Sequence, residues 1–125
     1  SGKLPRMVAA QSTGCAPVVK AFQRRENKTE FWENSQTVAL GLNVPGPIGG
    51  YWILRILYES NGIAVDVPES DLQNLTDEFN SITRINAGPE AGVVWGAFQK
   101  LRNVGWIDNS QSVVLFATGI ERCKL

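Results

Sequence analysis

Few side chains in this sequence combine a reactive group with a position suited to chemistry. Gln11, Gly14 and Cys15 follow the short apolar run Arg6 to Ala10, which puts them at the carboxyl end of a strand, where α/β folds gather ligands. Cys15 also lies on an apolar stripe, so a buried structural thiol competes with a functional one. Gly46, Gly49 and Gly50 flank the start of an apolar helix, whose amino end could hold an anion. No phosphate-loop pattern accompanies them, and close packing of backbone accounts for the glycines as well. Glu90 opens another helix just after Pro89. A carboxylate there stabilises the helix amino end by about 0.3–1 kcal/mol, or faces a ligand. Thr118-Gly119 follows the apolar run Ser112 to Phe116; its hydroxyl either contacts a ligand at the end of a strand or bonds local backbone.

Histidine is absent, which removes a His-dependent triad and most zinc sites. Cys15 and Cys123 are far apart and form no metal-binding pair; they read as reduced thiols of a cytoplasmic protein. Lys3, Lys20, Lys28, Lys100 and Lys124 read as solvated surface charges. Formal charge is zero over 125 residues, which gives no electrostatic reason to expect nucleic acid, and no run is apolar enough for a membrane span.

The elements that must position these groups alternate. Arg6 to Ala10 reads as a short buried strand, and Pro17 opens a helix with Cys15, Val18, Val19 and Phe22 on one stripe. Arg24 to Gln36 is a polar excursion pinned by Phe31 and Trp32. Thr37 to Val44 is ambiguous between strand and short helix. Pro47 suits the first turn of a helix that is apolar around most of its circumference through Tyr58, and so is expected inside the fold. Ser60-Asn61-Gly62 stops it, with Gly62 expected in the left-handed conformation. Ile63 to Val67 reads as a buried strand. Ser70 and Gln73 form a capping-box pattern ahead of a helix facing inward through Leu72, Leu75 and Phe79. Ile82 to Ile85 is a weaker strand candidate. Pro89 opens a longer helix with Val94, Ala97, Phe98 and Leu101 inward, ended by Gly105, and Ser112 to Phe116 is the last buried strand. This order implies one α/β unit over residues 1–125, a parallel sheet with helices on both faces. Starting and ending abruptly at strands, it is expected to be a piece of a larger sheet; Ser1-Gly2 reads as a cloning remnant.

Several stretches resemble the threonine synthases, pyridoxal-phosphate enzymes of the tryptophan-synthase-β-like fold (fold type II). They are Pro5 to Pro17, Thr37 to Gly49 with Ile53-Leu54-Arg55, Pro89-Glu90, Gly105-Trp106-Ile107 and Val114 to Gly119. The resemblance runs in register and covers only the carboxyl-terminal third or so of such an enzyme. It implies that this chain is part of the large domain, with the missing amino-terminal portion as its partner and a homo-oligomer as the whole. It implies pyridoxal phosphate as cofactor, with the catalytic Schiff-base lysine upstream and none in this chain. O-phosphohomoserine and water would be converted to threonine and phosphate. Thr118, Gly119 and Glu90 are the implied cofactor-binding residues, Thr118 through the pyridine nitrogen. The family carries a second glycine two residues after the first, where this chain has Ile120-Glu121. A related threonine/serine ammonia-lyase or cysteine-synthase-like enzyme is the near alternative. A stand-alone α/β binding module without catalysis is the distant one.

Overall fold

A computed structural model describes residues 2–121, so the expectations for Ser1, Cys123 and Lys124 lie outside the described residues. Two strands, β1 (Val8–Ser12) and β2 (Ile63–Val67), pair in parallel with Val8 opposite Ile63 and Ser12 opposite Val67. Alternation assigns their side chains to two layers. Ala9 and Ala64 face a cluster built from α1 (Pro17–Gln23) and α2 (Gly50–Glu59), with Val18, Val19, Leu54 and Leu57 at its centre. Ala10, Ile63, Val65 and Val67 face the opposite cluster, where Leu72 of α3 (Leu72–Thr83) meets Val93, Ala97 and Leu101 of α4 (Pro89–Asn103). Helices therefore cover both faces of a parallel sheet, as expected. The strand over Ile63 to Val67 falls where the sequence placed it; the first strand is shifted two residues later than expected.

Gly62 is needed for a reason other than the one expected. Asn61 adopts the left-handed conformation (φ 54°) at the end of α2, whereas a Cβ on Gly62 would lie 2.0 Å from the Met7 carbonyl oxygen. The glycine lets β2 start directly against β1. In the α3–α4 contact, Gly92 and Gly96 play the same part. A Cβ on Gly92 would lie 2.3 Å from Thr76 Oγ1 and 3.0 Å from the Leu72 carbonyl oxygen, and one on Gly96 would meet Leu75 and Val67. The buried stripe of α4 accordingly includes Gly92, Val93 and Gly96, not the expected Val94.

Other expectations are corrected. Pro47 lies in a turn closed by Gly50 N–H to Pro47 O, and α2 begins only at Gly50. The helix is not enclosed: Ile48, just before it, and Tyr51, Trp52 and Ile56 stand in the open, with Trp52 61% exposed. Only Gly50, Leu54 and Leu57 of α2 are buried. Trp32 packs on the α1–α2 cluster but Phe31 does not bury. Thr37 to Val44 resolves into a 3-10 turn, Leu40–Leu42. The capping box does not form; Ser70 enters a 3-10 turn, Glu69–Asp71, and Gln73 bonds Asp77 instead. Ile82 to Ile85 is no strand, because α3 continues to Thr83 and ends on Arg84 in the left-handed region (φ 60°). Ser112 to Phe116 pairs with nothing among the described residues, and Val114 and Phe116 are exposed. A strand needs a neighbour to complete its ladder, and neither β1 nor β2 supplies one. Gly105, by contrast, ends the α4 region with φ 79°, as expected.

At the carboxyl edge of the sheet one carboxylate ties three segments together. Glu69 Oε2 accepts from the Ser12 hydroxyl, Oε1 accepts from Val38 N–H at 2.6 Å, and Glu69 N–H donates to Thr13 Oγ1 at 3.0 Å. Partial burial pushes this carboxyl up, but the bonds from Ser12, Val38 and Thr37 outweigh it and hold the group below its ordinary value of 4.5.

Two outcomes follow from this packing. Gly92→Ala should destabilise the chain by about 1–3 kcal/mol, because the added methyl meets backbone at Leu72, which cannot turn aside, and this exceeds the roughly 1 kcal/mol that Ala gains as a helix former. Urea unfolding of the two proteins measures it; an Ala variant of equal or higher stability would refute close packing at this position. The second concerns acid. A depressed carboxyl contributes stability that is complete above its unfolded value and disappears as pH falls through the folded one. Glu69→Gln should therefore cost about 1.5–3 kcal/mol near neutrality, and the gap between parent and variant should close below pH 4.5. A gap that does not shrink at all as pH falls below 4.5 would mean that charge on Glu69 is irrelevant.

Candidate active-site segment

Glu90 is built into a corner. Pro89 and Glu90 start α4, and the Glu90 side chain is 7% exposed. Its Oε1 accepts from Gly41 N–H at 2.9 Å, in the 3-10 turn Leu40–Leu42. A Cβ on Gly119 would lie 2.7 Å from Glu90 Oε2, one on Gly88 2.8 Å from the same atom, and one on Gly41 3.0 Å from Oε1. Three glycines from three separate stretches thus surround one carboxylate, and Gly119 also requires its φ of 79°. A negative group in the first turn of α4 is favoured by the helix dipole.

The segment carrying Thr118 reaches this corner by a short antiparallel bridge, Ala87 to Ile120. Glu121 N–H donates to Asn86 O at 3.1 Å. Asn80 steadies the other side: its Nδ2 donates to Ala87 O at 3.0 Å and its Oδ1 accepts from Ala87 N–H at 2.9 Å. Two of the three sequence-predicted site residues, Glu90 and Gly119, are therefore in contact. Thr118, beside them in the chain, is exposed, and its hydroxyl has no hydrogen-bond partner among the described residues. Ile120-Glu121, the departure from the family pattern, is exposed at both residues.

The other candidates resolve as structure. Gln11 Oε1 accepts from Val18 and Val19 N–H at 3.0 and 3.1 Å, so it caps α1 from the end of β1. A Cβ on Gly14 would collide with Gln36 O at 1.8 Å. Cys15 is fully buried, and burial pushes its thiol up, away from a reactive thiolate. Gly50 packs on Thr29 and Gly46 on Phe31, whereas a Cβ on Gly49 would meet nothing within 4 Å. Lys20 pairs with Glu30 and Lys100 with Asp66 at the surface. Two shallow concavities of about 260 and 350 Å³ open beside Arg102 and Lys100, and neither includes Glu90, Thr118 or Gly119.

Sequence reasoning missed Glu69 and the roles of Gly41 and Gly88. Glu69 stands two residues past a strand in the sequence Val67-Pro68-Glu69, which was a usable signal. Gly41 and Gly88 become meaningful only once Glu90 is seen to need room.

Among proteins of known function, the chain is 26% identical over 117 residues to the threonine synthase of Methanocaldococcus jannaschii, covering 94% of this chain and 29% of that protein. It is 27% identical over 116 residues to the threonine synthase of Methanosarcina acetivorans, covering 93% of this chain and 29% of that protein. The chain thus spans under a third of the length of these relatives. Among solved structures, maize serine racemase superposes with a TM-score of 0.59 at 14% identity, over 74% of this chain and 27% of the racemase, a likeness of fold alone. No described helix is long and apolar enough to cross a membrane. Residues 1–119 match the family described as pyridoxal-phosphate dependent enzyme, and to that family the chain belongs.

Proposed function

We propose that this chain forms part of a pyridoxal-phosphate enzyme of the threonine synthase kind, and that Thr118 contacts the pyridine nitrogen of the cofactor. The observation that carries the reading is the meeting of Gly119 with Glu90, which fixes the backbone beside an exposed, unengaged Thr118 hydroxyl. The two threonine synthase relatives support the reaction, O-phosphohomoserine and water to threonine and phosphate.

The donors present fit one side of the cofactor. Thr118 offers a neutral hydroxyl, able to donate to or accept from a ring nitrogen. The glycine-lined corner is already filled by Glu90, and no cation among the described residues pairs with it to balance a phosphate. Covalent attachment and phosphate binding are thus assigned to residues outside this stretch, the amino-terminal remainder of the subunit. When bound, pyridoxal phosphate supplies an electron sink for carbanion chemistry. Thr118 leaves the ring nitrogen without a carboxylate partner, which restrains the sink and passes reaction control to groups around the substrate.

The same remainder is the proposed partner of the exposed apolar surface. The chain exposes 8459 Å², against about 6,600 Å² for a compact monomer of 13.7 kDa. Tyr51, Trp52 and Ile56 on α2, with Val114 and Phe116 after α4, are among the exposed apolar side chains, and patches of this sort mark interfaces.

Thr118→Asp and Thr118→Val test the site in the full-length polypeptide loaded with cofactor. The carboxylate should favour a protonated ring, lower threonine formation by about tenfold or more, equal to 1.4 kcal/mol in the barrier, and raise transamination. The Val variant should change product ratio with little loss of stability, since the exposed hydroxyl makes no bond among the described residues. Unaltered product ratios in both, with a large fall in melting temperature, would make Thr118 a structural residue. For the surface, sedimentation of the isolated chain over a range of concentrations should show association; a compact monomer throughout, at 13.7 kDa, would argue that nothing is missing from these faces.

A further inference from the structure

Glu90 is expected from family resemblance to face the cofactor, but its side chain is buried, at 7% exposure, against backbone. One oxygen takes the amide of Gly41 at 2.9 Å, and the other lies against the backbone of Gly88 and Gly119. Gly41 belongs to the turn that starts beyond Val38, which Glu69 holds; Gly119 adjoins Thr118. Gly41 and Gly119 share no hydrogen bond with each other among the described residues. The Gly119 stretch is bonded to the backbone of Asn86 to Gly88, and what carries this corner across to the Leu40–Leu42 turn is the Glu90 side chain.

We propose that Glu90 is a positioning residue: a buried carboxylate clamp that sets Thr118-Gly119 against the Leu40–Leu42 turn without itself touching cofactor or substrate. Burial of a carboxylate is costly unless its oxygens are bonded, and here the bonded oxygen faces the 3-10 turn. The second oxygen fits only because Gly88 and Gly119 carry no side chain. The arrangement is therefore one of hydrogen bond on one flank and steric contact on the other. Moving the carboxylate frees the Leu40–Leu42 turn, while Thr118-Gly119, in a stretch that stays bonded to Asn86 and Gly88, shifts where Gly119 meets the second oxygen. That the oriented group serves a cofactor rests on the reading of Thr118 as the ring-nitrogen contact. The clamp does not, and its test uses no cofactor.

The experiment follows backbone amide resonances and hydrogen exchange in the chain as it stands. Glu90→Ala should lower protection of the Gly41 amide by about tenfold and displace the Thr118 and Gly119 resonances as well. Glu90→Gln keeps the acceptor and the shape, and should restore both. Gly41→Ala gives an independent arm: its methyl would press on Glu90 Oε1 from 3.0 Å, and the disturbance should reappear at Thr118, a residue with no bond to Gly41. This variant lies at an exposed position and decides the matter should Glu90→Ala not fold. Disturbance confined to the Leu40–Leu42 turn, or a Gln variant that behaves like Ala, would overturn the clamp. Propagation to Thr118 here, with a full-length polypeptide that proves unable to bind pyridoxal phosphate, would uphold the clamp and reject the functional reading alone.

Discussion

The parallel pairing of β1 with β2 is the constraint on which every other contact rests. Parallel neighbours cannot be joined by a tight turn; they need a crossover long enough to return the chain to the same end. Here the crossover carries α1, the 3-10 turn and α2, and it leaves one face of the sheet free for α3 and α4. Small side chains make the pairing possible on the first face, where Ala9 and Ala64 lie side by side under the helices. Bulk is concentrated on the second, in Ile63, Val65 and Val67. A sheet of two strands has little ladder energy of its own, so the helical layers hold it at least as much as its hydrogen bonds do.

The carboxyl edge of that sheet is where polar groups collect, and they do so in two stations. Glu69 binds the turn after β1 to the loop at Thr37 and Val38; Glu90 binds the next turn to the last described stretch. The segment Thr37 to Leu42 runs between them, held at both ends by carboxylates. The Val38 and Gly41 amides are satisfied by side chains from distant elements and those of Ala39, Leu40 and Leu42 within the segment, which is how an irregular stretch can stay in place without a ladder. This edge is also where α/β enzymes assemble their ligand sites, and the family to which the chain belongs is consistent with that placement.

Much of this was legible in the residues. Short β-branched runs, Pro before helices and Gly after them located β2, α1 and α4, and the alternation of elements gave a parallel sheet with two helical layers. The failures have physical causes. Ile82 and Ile85 looked like strand because they are β-branched, but the α3–α4 packing drew that stretch into helix as far as Thr83. Ser112 to Phe116 has the composition of a buried strand and no neighbour here to pair with. Apolar residues all round α2 suggested enclosure, yet enclosure requires other layers, and sequence says nothing of layers it does not contain. At the site, Glu90 and Gly119 were named from family pattern, while the reason they belong together, three glycines yielding space to one carboxylate, is a fact of three dimensions.

The order in which β1 and β2 occur along the chain has a consequence for how it is made. Val8 must wait for Ile63, and nothing between them offers β1 another strand. During synthesis, at the usual elongation rates, the first strand leaves the ribosome roughly 3–11 s before its partner. Throughout that interval Met7, Val8 and the apolar side of α1 lack β2, the strand that pairs with β1 among the described residues. Loop closure over such a separation is slow as well as late. The β1–β2 ladder therefore forms only after a delay set by translation, and slower elongation between the two strands lengthens it.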